Sequence, residues 1–519
     1  MLLFVSCYLL VVIITAIQWL PTLHLISESA RSVDLNWQQE GWFIPWQHLV
    51  QFIVPDFFGN PTTLNYWGAW NYAEFVGYVG IAPLVLAFFA LFSRKDKKTF
   101  FFGAILLFSF LFALPTGISS LPFQLQIPFL STAQPTRLLF LVDFSLAVLA
   151  GFGFDFLLKQ ENKRRIFYSL AFTALIFGII IAVSFLGTAK SISPENIAVI
   201  KSNLRLPLVT FFVVFIIFFL LSLKKVKRIH NIAVIVLLVV VSADLMRFGL
   251  KFTSFSNREY LYPSTKTLEF LQNQKGQFRI MTTDERILPP NFSIMYKIAT
   301  IDGYDPLYLR RYGELIAASE RDKPDISPPF GFNRIITPQN YNSRIIDLLG
   351  VKYVLSLSDL DSPKLTKVFQ EGETRVYENK NVLPRVFFAE QFFYTENKEK
   401  AIEAIFRDDI DLRKVAITEM SLSNREDRKP QLPPNSFSAQ IPVIGTANIV
   451  YYSENRVVVE TDIQGERGGF LVLTDSFYPT WRAKIVGDYE IPVVRVDYNF
   501  RGISVPKGKH LIEFYNNLL

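Results

Sequence analysis

Seven apolar runs fill most of the first half of the chain and restrict what it can fold into. Each is long enough, or nearly so, to cross the roughly 30 Å of hydrocarbon in a bilayer as an α-helix. The predicted spans are Leu2–Leu20, Val76–Phe92, Thr99–Leu114, Leu138–Leu158, Ile166–Gly187, Leu206–Leu223 and Asn231–Leu250. We therefore predict a polytopic α-helical membrane domain of about seven transmembrane helices.

Basic residues in the short loops set the predicted orientation. "SRKDKK" (93–98), "KQENKRR" (159–165) and "KKVKRIH" (224–230) are rich in Lys and Arg. The opposite loops carry few cations, with Arg31 alone between the first two spans and Arg137 alone between the third and fourth. Cytoplasmic loops carry an excess of Lys and Arg, so the three basic loops are predicted to be cytoplasmic. An odd number of spans then places the rest of the chain outside. We predict a multi-pass plasma-membrane protein whose C-terminal domain is extracytoplasmic.

Composition supports this class and argues against several others. Of the 519 residues, 50% are hydrophobic and 19% are charged, against roughly 25% charged in soluble domains. The net charge of +7 does not indicate a nucleic-acid partner, because the cations cluster in loops where membrane topology explains them. One cysteine and four scattered histidines provide neither an internal disulfide nor a Cys/His metal cluster. We expect no cofactor, and the sequence does not reveal whether a divalent metal ion takes part.

The second half of the chain has the pattern of a water-soluble domain. "STKTLEFLQNQKGQFRIMT" (264–282) predicts a helix capped by Ser264 and then a strand. "YNSRIIDLLGVKYVLSLSD" (341–359) repeats this order, with Gly350 ending the helix. "NKEKAIEAIF" (397–406) predicts a further helix.

From about Ala439 onward, short β runs separated by turn residues predict a closing β-sandwich. The predicted domains are therefore a transmembrane helical domain at 1–250 with an outer loop at 21–75, an extracytoplasmic α/β region at 251–430, and an extracytoplasmic β-sandwich at 431–519.

Polar residues at the predicted outer ends of the helices are the candidate site. Arg137 is the single cation in its loop and borders hydrocarbon, where a charge is costly unless it is paired or faces a polar cavity. Arginine commonly binds phosphate. Glu74 and Asp56 could pair with Arg137 or act on a sugar hydroxyl; alternatively, Arg137 extends to lipid headgroups. The candidate substrate-binding residues are Arg137, Glu74, Asp56, Tyr78, Gln134 and Arg31.

Other residues in this half leave alternatives open. Asp143 lies about one and a half turns inside its predicted span, while Asp155 and Asp244 lie near the membrane faces and are expected to be solvated or paired. The outer loop carries five tryptophans, which could anchor the interface or stack on sugar rings. "WQHLVQFIV" (46–54) is expected to form an amphipathic helix on the bilayer surface.

Two segments of the second half are dense in Asp, Tyr, Trp and Arg. "IDGYDPLYLRRY" (301–312) and "TDSFYPTWRAKI" (474–485) could each bind a glycan or form a packed turn, with Trp481 buried in the sandwich. The sequence shows no Ser/His/Asp set, no Gly-rich phosphate loop after a strand and no HExxH motif.

Several segments together resemble the bacterial YfhO family, and the resemblance extends over nearly the whole chain. They include "QWLPTLHLISESARS", "EFVGYVGIAPLVLA", "QPTRLLFLVDFSLAVLAGFGFD", "IDGYDPLYLRRY" and "GFLVLTDSFYPTWRAKI". Members of that family are similar to GT-C glycosyltransferases. The resemblance implies transfer of a sugar from a polyprenyl-phosphate donor to a cell-envelope polymer, such as teichoic acid, on the outer face of the plasma membrane.

The resemblance also has a gap. GT-C enzymes carry their catalytic acidic residue in the first outer loop of a longer set of helices, and this chain is expected to begin several helices later and to stop short of the family's usual end. No catalytic residue is therefore carried over. The alternatives are a non-catalytic membrane scaffold for envelope-glycan assembly and a lipid-linked sugar transporter. A transporter is disfavoured because the polar residues gather at the outer helix ends rather than mid-membrane.

Overall fold

The structure is a computed structural model. It describes residues 2–33, 37–38, 41–127, 130–159, 165–182, 192–222, 227–253, 255–332, 334–419, 435–438, 443–464 and 468–517. The chain forms two compact units. The mixed unit contains Met1–Leu35 and Arg258–Leu519, and the helical unit contains Asn36–Asn257. The predicted boundaries at Gly187, Leu223 and 430/431 lie outside the described residues.

Within the described residues, each predicted span overlaps a helix. The helices of the first half are α1 Leu2–Glu28, α2 Ile81–Ser93, α3 Lys97–Ala113, α4 Leu121–Gln124, α5 Leu139–Lys159, α6 Ile166–Ala182, α7 Pro194–Ser222 and α8 Lys227–Leu250. Among the described residues, four stretches are long and apolar enough to cross a membrane: Val5–Glu28, Pro135–Lys159, Pro194–Leu221 and Asn231–Leu250. The 13 residues of α2 extend only about 20 Å, so the count of seven spans stays a prediction.

Two helices begin five residues or more from the predicted position. α2 begins at Ile81 rather than Val76, because Gly80 before it adopts a left-handed φ of +91° that interrupts a helix. α7 begins at Pro194 rather than near Leu206. There the hydroxyl of Ser193 accepts the backbone N–H of Asn196 at 3.3 Å, and proline is well suited to the first helical position.

The core of the helical unit depends on close contact between α2 and α5. Most of α2 is buried, including Ile81, Val85 and Phe89. Gly153 of α5 lies against the backbone of Leu86: a Cβ at this glycine would be 2.1 Å from the Leu86 carbonyl oxygen. Only a residue without a side chain allows this approach.

Within the described residues, the mixed unit contains four further α-helices and all of the strands. The helices are α9 Lys266–Gln272, α10 Arg310–Arg321, α11 Arg344–Leu348 and α12 Lys398–Ile405. The strands are β1 Arg279–Thr282, β2 Gly303–Tyr304, β3 Ile335–Ile336, β4 Val351–Ser356, β5 Leu365–Glu371, β6 Thr374–Asn379, β7 Val386–Ala389, β8 Gln391–Thr395, β9 Val415–Glu419, β10 Ser436–Phe437, β11 Ile444–Ser453, β12 Arg456–Gln464, β13 Gly469–Leu473, β14 Trp481–Ile485, β15 Glu490–Ile491, β16 Val494–Val496, β17 Phe500–Val505 and β18 Gly508–Asn516.

The first sheet of this unit has the order β1-β4-β6-β5, with β1 parallel to β4 and the other pairs antiparallel. The predicted helix-to-strand pairs are present, and Gly350 follows α11 with φ +71°, as expected of a helix stop. The cap of α9 is Thr265, whose hydroxyl accepts the N–H of Leu268 at 3.2 Å. The prediction of Ser264 as the cap was wrong by one residue.

Two sheets near the C-terminus pack face to face. One has the order β11-β12-β18-β14-β15 and the other β16-β17-β13-β7. Leu471 and Ile503 from one sheet share a buried cluster with Val459 and Phe514 from the other. Alternating inward-facing residues of this kind are typical of a β-sandwich. The C-terminal region is therefore β-rich, and Trp481 is 7% exposed within the cluster.

Candidate functional site

In the helical unit, Glu74 and Arg137 come together next to the start of α5. Thr136 Oγ1 donates a hydrogen bond of 2.7 Å to Glu74 Oε2, and Arg137 Nε lies 3.8 Å from Glu74 Oε1. The Arg137 side chain is nevertheless 64% exposed. An exposed, loosely paired arginine contributes little to stability and keeps its guanidinium available to an anion. Gln134, on the same segment, is buried.

Asp56 pairs with Lys251 rather than with Arg137. Lys251 Nζ contacts Asp56 Oδ2 directly, and Tyr72 and Asn60 donate hydrogen bonds of 3.0 and 2.8 Å to Asp56 Oδ1. Asn203 Nδ2 donates a 2.7 Å bond to the backbone carbonyl of Asp56. Burial and the Asp56 carboxylate raise the pKa of Tyr72, so its hydroxyl remains a donor. Asp56 is thus a fully engaged carboxylate.

Tyr78 is held by Asp244 near the end of α8. The tyrosine hydroxyl lies 2.8 Å from Asp244 Oδ2 and 2.9 Å from Oδ1, and Oδ2 also accepts the N–H of Ile81 at 3.3 Å. Asp244 therefore binds an otherwise free N–H in the first turn of α2. Asp244 is paired, as expected.

Aromatic rings join these two carboxylate sites. Tyr72 contacts Phe252 with ring centroids 5.6 Å apart, Phe252 contacts Phe248 at 5.5 Å, and Phe248 contacts Tyr78 at 5.3 Å. Phe248 lies four residues after Asp244 on α8, so both project from one face of the helix. Lys251 continues that face just after the helix, a spacing in the sequence that could have revealed it.

Asp143 lies on α5, seven residues after Thr136. Its Oδ1 is buried and has no hydrogen-bond partner among the described residues. A Cβ at Gly77 would be 2.8 Å from this oxygen, so the backbone next to Tyr78 runs directly past the carboxylate. Thr136 belongs to the 3₁₀ turn Pro135–Leu138 that precedes α5, and Asp143 lies in the second turn of α5.

The remaining candidates are placed differently. Arg31 belongs to the mixed unit, where its N–H donates a 3.3 Å bond to Ser29 Oγ; a role for it beside Arg137 stays a prediction. The segment predicted as an amphipathic helix is a 3₁₀ helix, Trp46–Phe52. Its His48 is buried, with Nδ1 2.6 Å from Gln51 Oε1.

The tryptophans of the predicted outer loop divide into packed and exposed residues. Trp42 is 2% exposed and meets Phe123 edge-on at 6.0 Å, while Trp37 stacks on Phe123 at 5.6 Å. Trp46 and Trp70 are 55% and 47% exposed. Trp42 therefore has a packing role, and the exposed pair keeps both the anchoring and the sugar-stacking interpretation open. Among the described residues, no three or more His, Cys, Asp or Glu side chains gather as metal ligands.

A comparison with protein families decides the class of the molecule. The profile described as "Bacterial membrane protein YfhO" matches residues 1–408. The chain belongs to the YfhO family. The match covers the helical unit and the mixed unit as far as α12, so membership in a bacterial membrane protein family agrees with the apolar helices found in the structure. Searches of curated proteins and of solved structures each found no match.

Proposed function

We propose that this YfhO-family protein is a glycosyltransferase. It would transfer a sugar from a polyprenyl-phosphate donor to a cell-envelope glycan or teichoic acid on the outer face of the plasma membrane. The observation that carries the proposal is Arg137, a 64% exposed cation with one loose carboxylate contact, at the beginning of the apolar stretch Pro135–Lys159. A lipid-linked phosphate meets this position when its chain lies in the bilayer.

The role proposed for each side chain in sugar transfer follows from its hydrogen-bond and ion-pair partners. Arg137 would bind the donor phosphate, and Glu74 would orient Arg137. Asp143, whose Oδ1 is buried and unpartnered among the described residues, would accept the proton of the attacking hydroxyl. The acceptor oxygen then bonds to the anomeric carbon of the sugar. The bond between that carbon and the phosphate oxygen of the donor breaks, and polyprenyl phosphate leaves.

Donor binding by Arg137→Ala tests the proposal. The purified full chain in lipid nanodiscs is titrated with a short-chain polyprenyl-phosphate sugar, and binding is followed by native mass spectrometry. We expect at least a tenfold loss, because a charge-assisted contact to phosphate disappears. Lys159→Ala is the matched control: this exposed lysine pairs with Asp155 at 2.7 Å at the other end of α5, and its removal should leave binding unchanged. Equal binding by wild type and Arg137→Ala would remove Arg137 from the site.

A non-catalytic scaffold is the second candidate, and it is favoured by the engagement of Asp56 and Asp244, whose oxygens already bind side chains and backbone of the protein itself. The same nanodiscs distinguish the two functions when a teichoic-acid acceptor is added and sugar transfer is measured. For the enzyme, Asp143→Asn should keep donor binding and lose transfer. Donor binding with no transfer by the wild type would support the scaffold.

A further inference from the structure

A cavity in the mixed unit brings together the two segments that the sequence marked as dense in Asp, Tyr, Trp and Arg. Its volume is about 300 Å³, and its wall includes Asp302, Asp305, Tyr308 and Tyr312 from one segment and Thr474 from the other. This volume lies at the lower end of small-molecule sites, whose usual range begins at about 300 Å³. The two segments are more than 160 residues apart in the chain and meet because the fold builds this wall.

The acidic side of the cavity offers hydrogen-bond acceptors. Thr282 Oγ1 donates a 3.0 Å bond to Asp302 Oδ2, which fixes the carboxyl group. Burial raises the pKa of Asp302 despite the hydrogen bonds from Thr300 and Thr282, which act in the opposite direction. Asn291 braces the same loop, because its side chain bonds the backbone N–H and C=O of Tyr304 at 3.0 and 2.8 Å.

The aromatic side is held in place by close packing. Gly313 of α10 lies under the ring of Tyr308: a Cβ there would be 2.5 Å from Tyr308 Cε2. The Tyr308 carbonyl accepts the N–H of Ala30 at 3.0 Å, and Tyr312 donates a 2.5 Å bond to the carbonyl of Ile301. Two tyrosine rings beside a carboxylate can cover the C–H face of a sugar while its hydroxyls reach polar acceptors.

The basic residue in the wall is not available to an anion. Arg279 donates to the carbonyls of Leu349 and Thr474 at 2.6 and 2.9 Å and to Asp475 Oδ1 at 2.7 Å. Burial alone would raise the pKa of Asp475, but the charges of Arg385, Arg279 and Arg501 hold it at about 2. The charge of Arg279 is therefore balanced by Asp475. Asp302 and Asp305 in the wall disfavour an anionic ligand.

We propose that this cavity binds one uncharged sugar residue of a glycan, with Asp302 accepting sugar hydroxyls and Tyr308 covering the ring. The site lies in the mixed unit, whereas the residues assigned to sugar transfer belong to the helical unit. Its existence does not rest on the proposed enzymatic activity.

Sugar binding by the full chain in nanodiscs tests the proposal. The probes are methyl glucoside and methyl N-acetylglucosaminide, observed by saturation-transfer NMR with the dissociation constant taken from titration. Asp302→Asn should weaken binding at least tenfold by removing a charged acceptor, and Tyr308→Ala should do the same by removing the ring. Tyr308→Phe should bind as wild type does. Asp322→Asn, an exposed substitution outside the cavity, is the matched control.

A direct readout covers the case in which a cavity variant fails to fold. A diazirine-bearing N-acetylglucosamine is crosslinked to the wild-type chain, and the modified peptides are mapped. We expect labels within 300–312 or 474–476. The proposal is overturned if neither sugar binds at millimolar concentration, if labels lie only elsewhere, if folded Asp302→Asn and Tyr308→Ala bind normally, or if glycerol phosphate or a lysine peptide binds more tightly than the sugars.

Discussion

At the scale of single residues, hydrogen-bond partners separate structural side chains from available ones. Asp56 balances Lys251, and Asp244 binds the first turn of α2. Removing either carboxylate would leave a charge or a helix end unsatisfied, so loss of folding is the expected result. Arg137 is exposed, and Asp143 keeps a buried oxygen without a described partner. These two are the positions where substitution should change function more than stability.

A buried carboxyl in the mixed unit makes stability depend on pH. Asp497 is fully buried, and burial raises its pKa to about 7 although the N–H of Ile417 lowers it. Below about pH 4 the carboxyl is protonated in both the folded and the unfolded chain. As the pH rises from about 4 to 7, only the unfolded chain loses its proton. The free energy of unfolding therefore falls by an amount on the order of 4 kcal/mol over that window.

Asp497→Asn should remove this dependence. The amide keeps an acceptor for the N–H of Ile417, and Asn tolerates the left-handed φ of +45° at this position. We expect a higher unfolding midpoint than wild type at pH 8 and a flatter profile between pH 5 and 8, measured by thermal unfolding in detergent. Asp322→Asn, exposed and also left-handed at φ +51°, should follow the wild-type profile. If the unfolding midpoint of Asp497→Asn fell with pH as steeply as that of the wild type, Asp497 would not be the source of the pH dependence.

Contacts between residues could be predicted from the sequence only where a single charged residue lies next to an apolar run. Glu74 and Arg137 stand out because each is a lone charge next to an apolar run. Lys251 was missed because it follows the last predicted span and meets Asp56 across 195 positions of sequence. Asn203 was missed because the start of α7 was placed too late, although "SPEN" (193–196) carries a Ser cap, a Pro and a Glu.

At the scale of elements, the contact between α2 and α5 gives a matched pair of substitutions on one helix. Gly153→Ala places a methyl group 2.1 Å from the Leu86 carbonyl oxygen, which must push the helices apart. At Gly151, two residues earlier, a Cβ would have no neighbouring atom within 4 Å. We expect Gly153→Ala to lose about 2 kcal/mol of stability, while Gly151→Ala stays near wild type or gains slightly.

Thermal unfolding midpoints of the two variants in the same detergent provide the measurement. Equal midpoints would show that the two helices do not approach each other this closely. The helices of the first half were predictable because a long apolar run in the sequence indicates a helix. The later start of α2 could not be predicted, because it depends on the left-handed conformation of Gly80 and on Asp244, a residue more than 160 positions away.

At the scale of the whole molecule, the sequence predicted the type of secondary structure in each region but not which distant segments pack together. Short β runs separated by turn residues predicted the β-rich C-terminal region, and the sheets β11-β12-β18-β14-β15 and β16-β17-β13-β7 confirm it. The grouping of α1 with the C-terminal half was not visible in the sequence. It depends on contacts such as His24 Nδ1 to the Tyr478 hydroxyl, 2.5 Å across 454 positions, for which no local pattern exists.

The proposed function depends most on the side of the membrane that Arg137 faces. Cysteine accessibility tests this in intact cells, in a background where the lone cysteine is removed by Cys7→Ala. Arg137→Cys and Lys159→Cys place single thiols at side chains that are 64% and 74% exposed, at opposite ends of α5. A membrane-impermeant maleimide should label position 137 from outside the cell and position 159 only after permeabilisation. Labelling of position 159 from outside, with position 137 reachable only from the cytoplasm, would contradict the account.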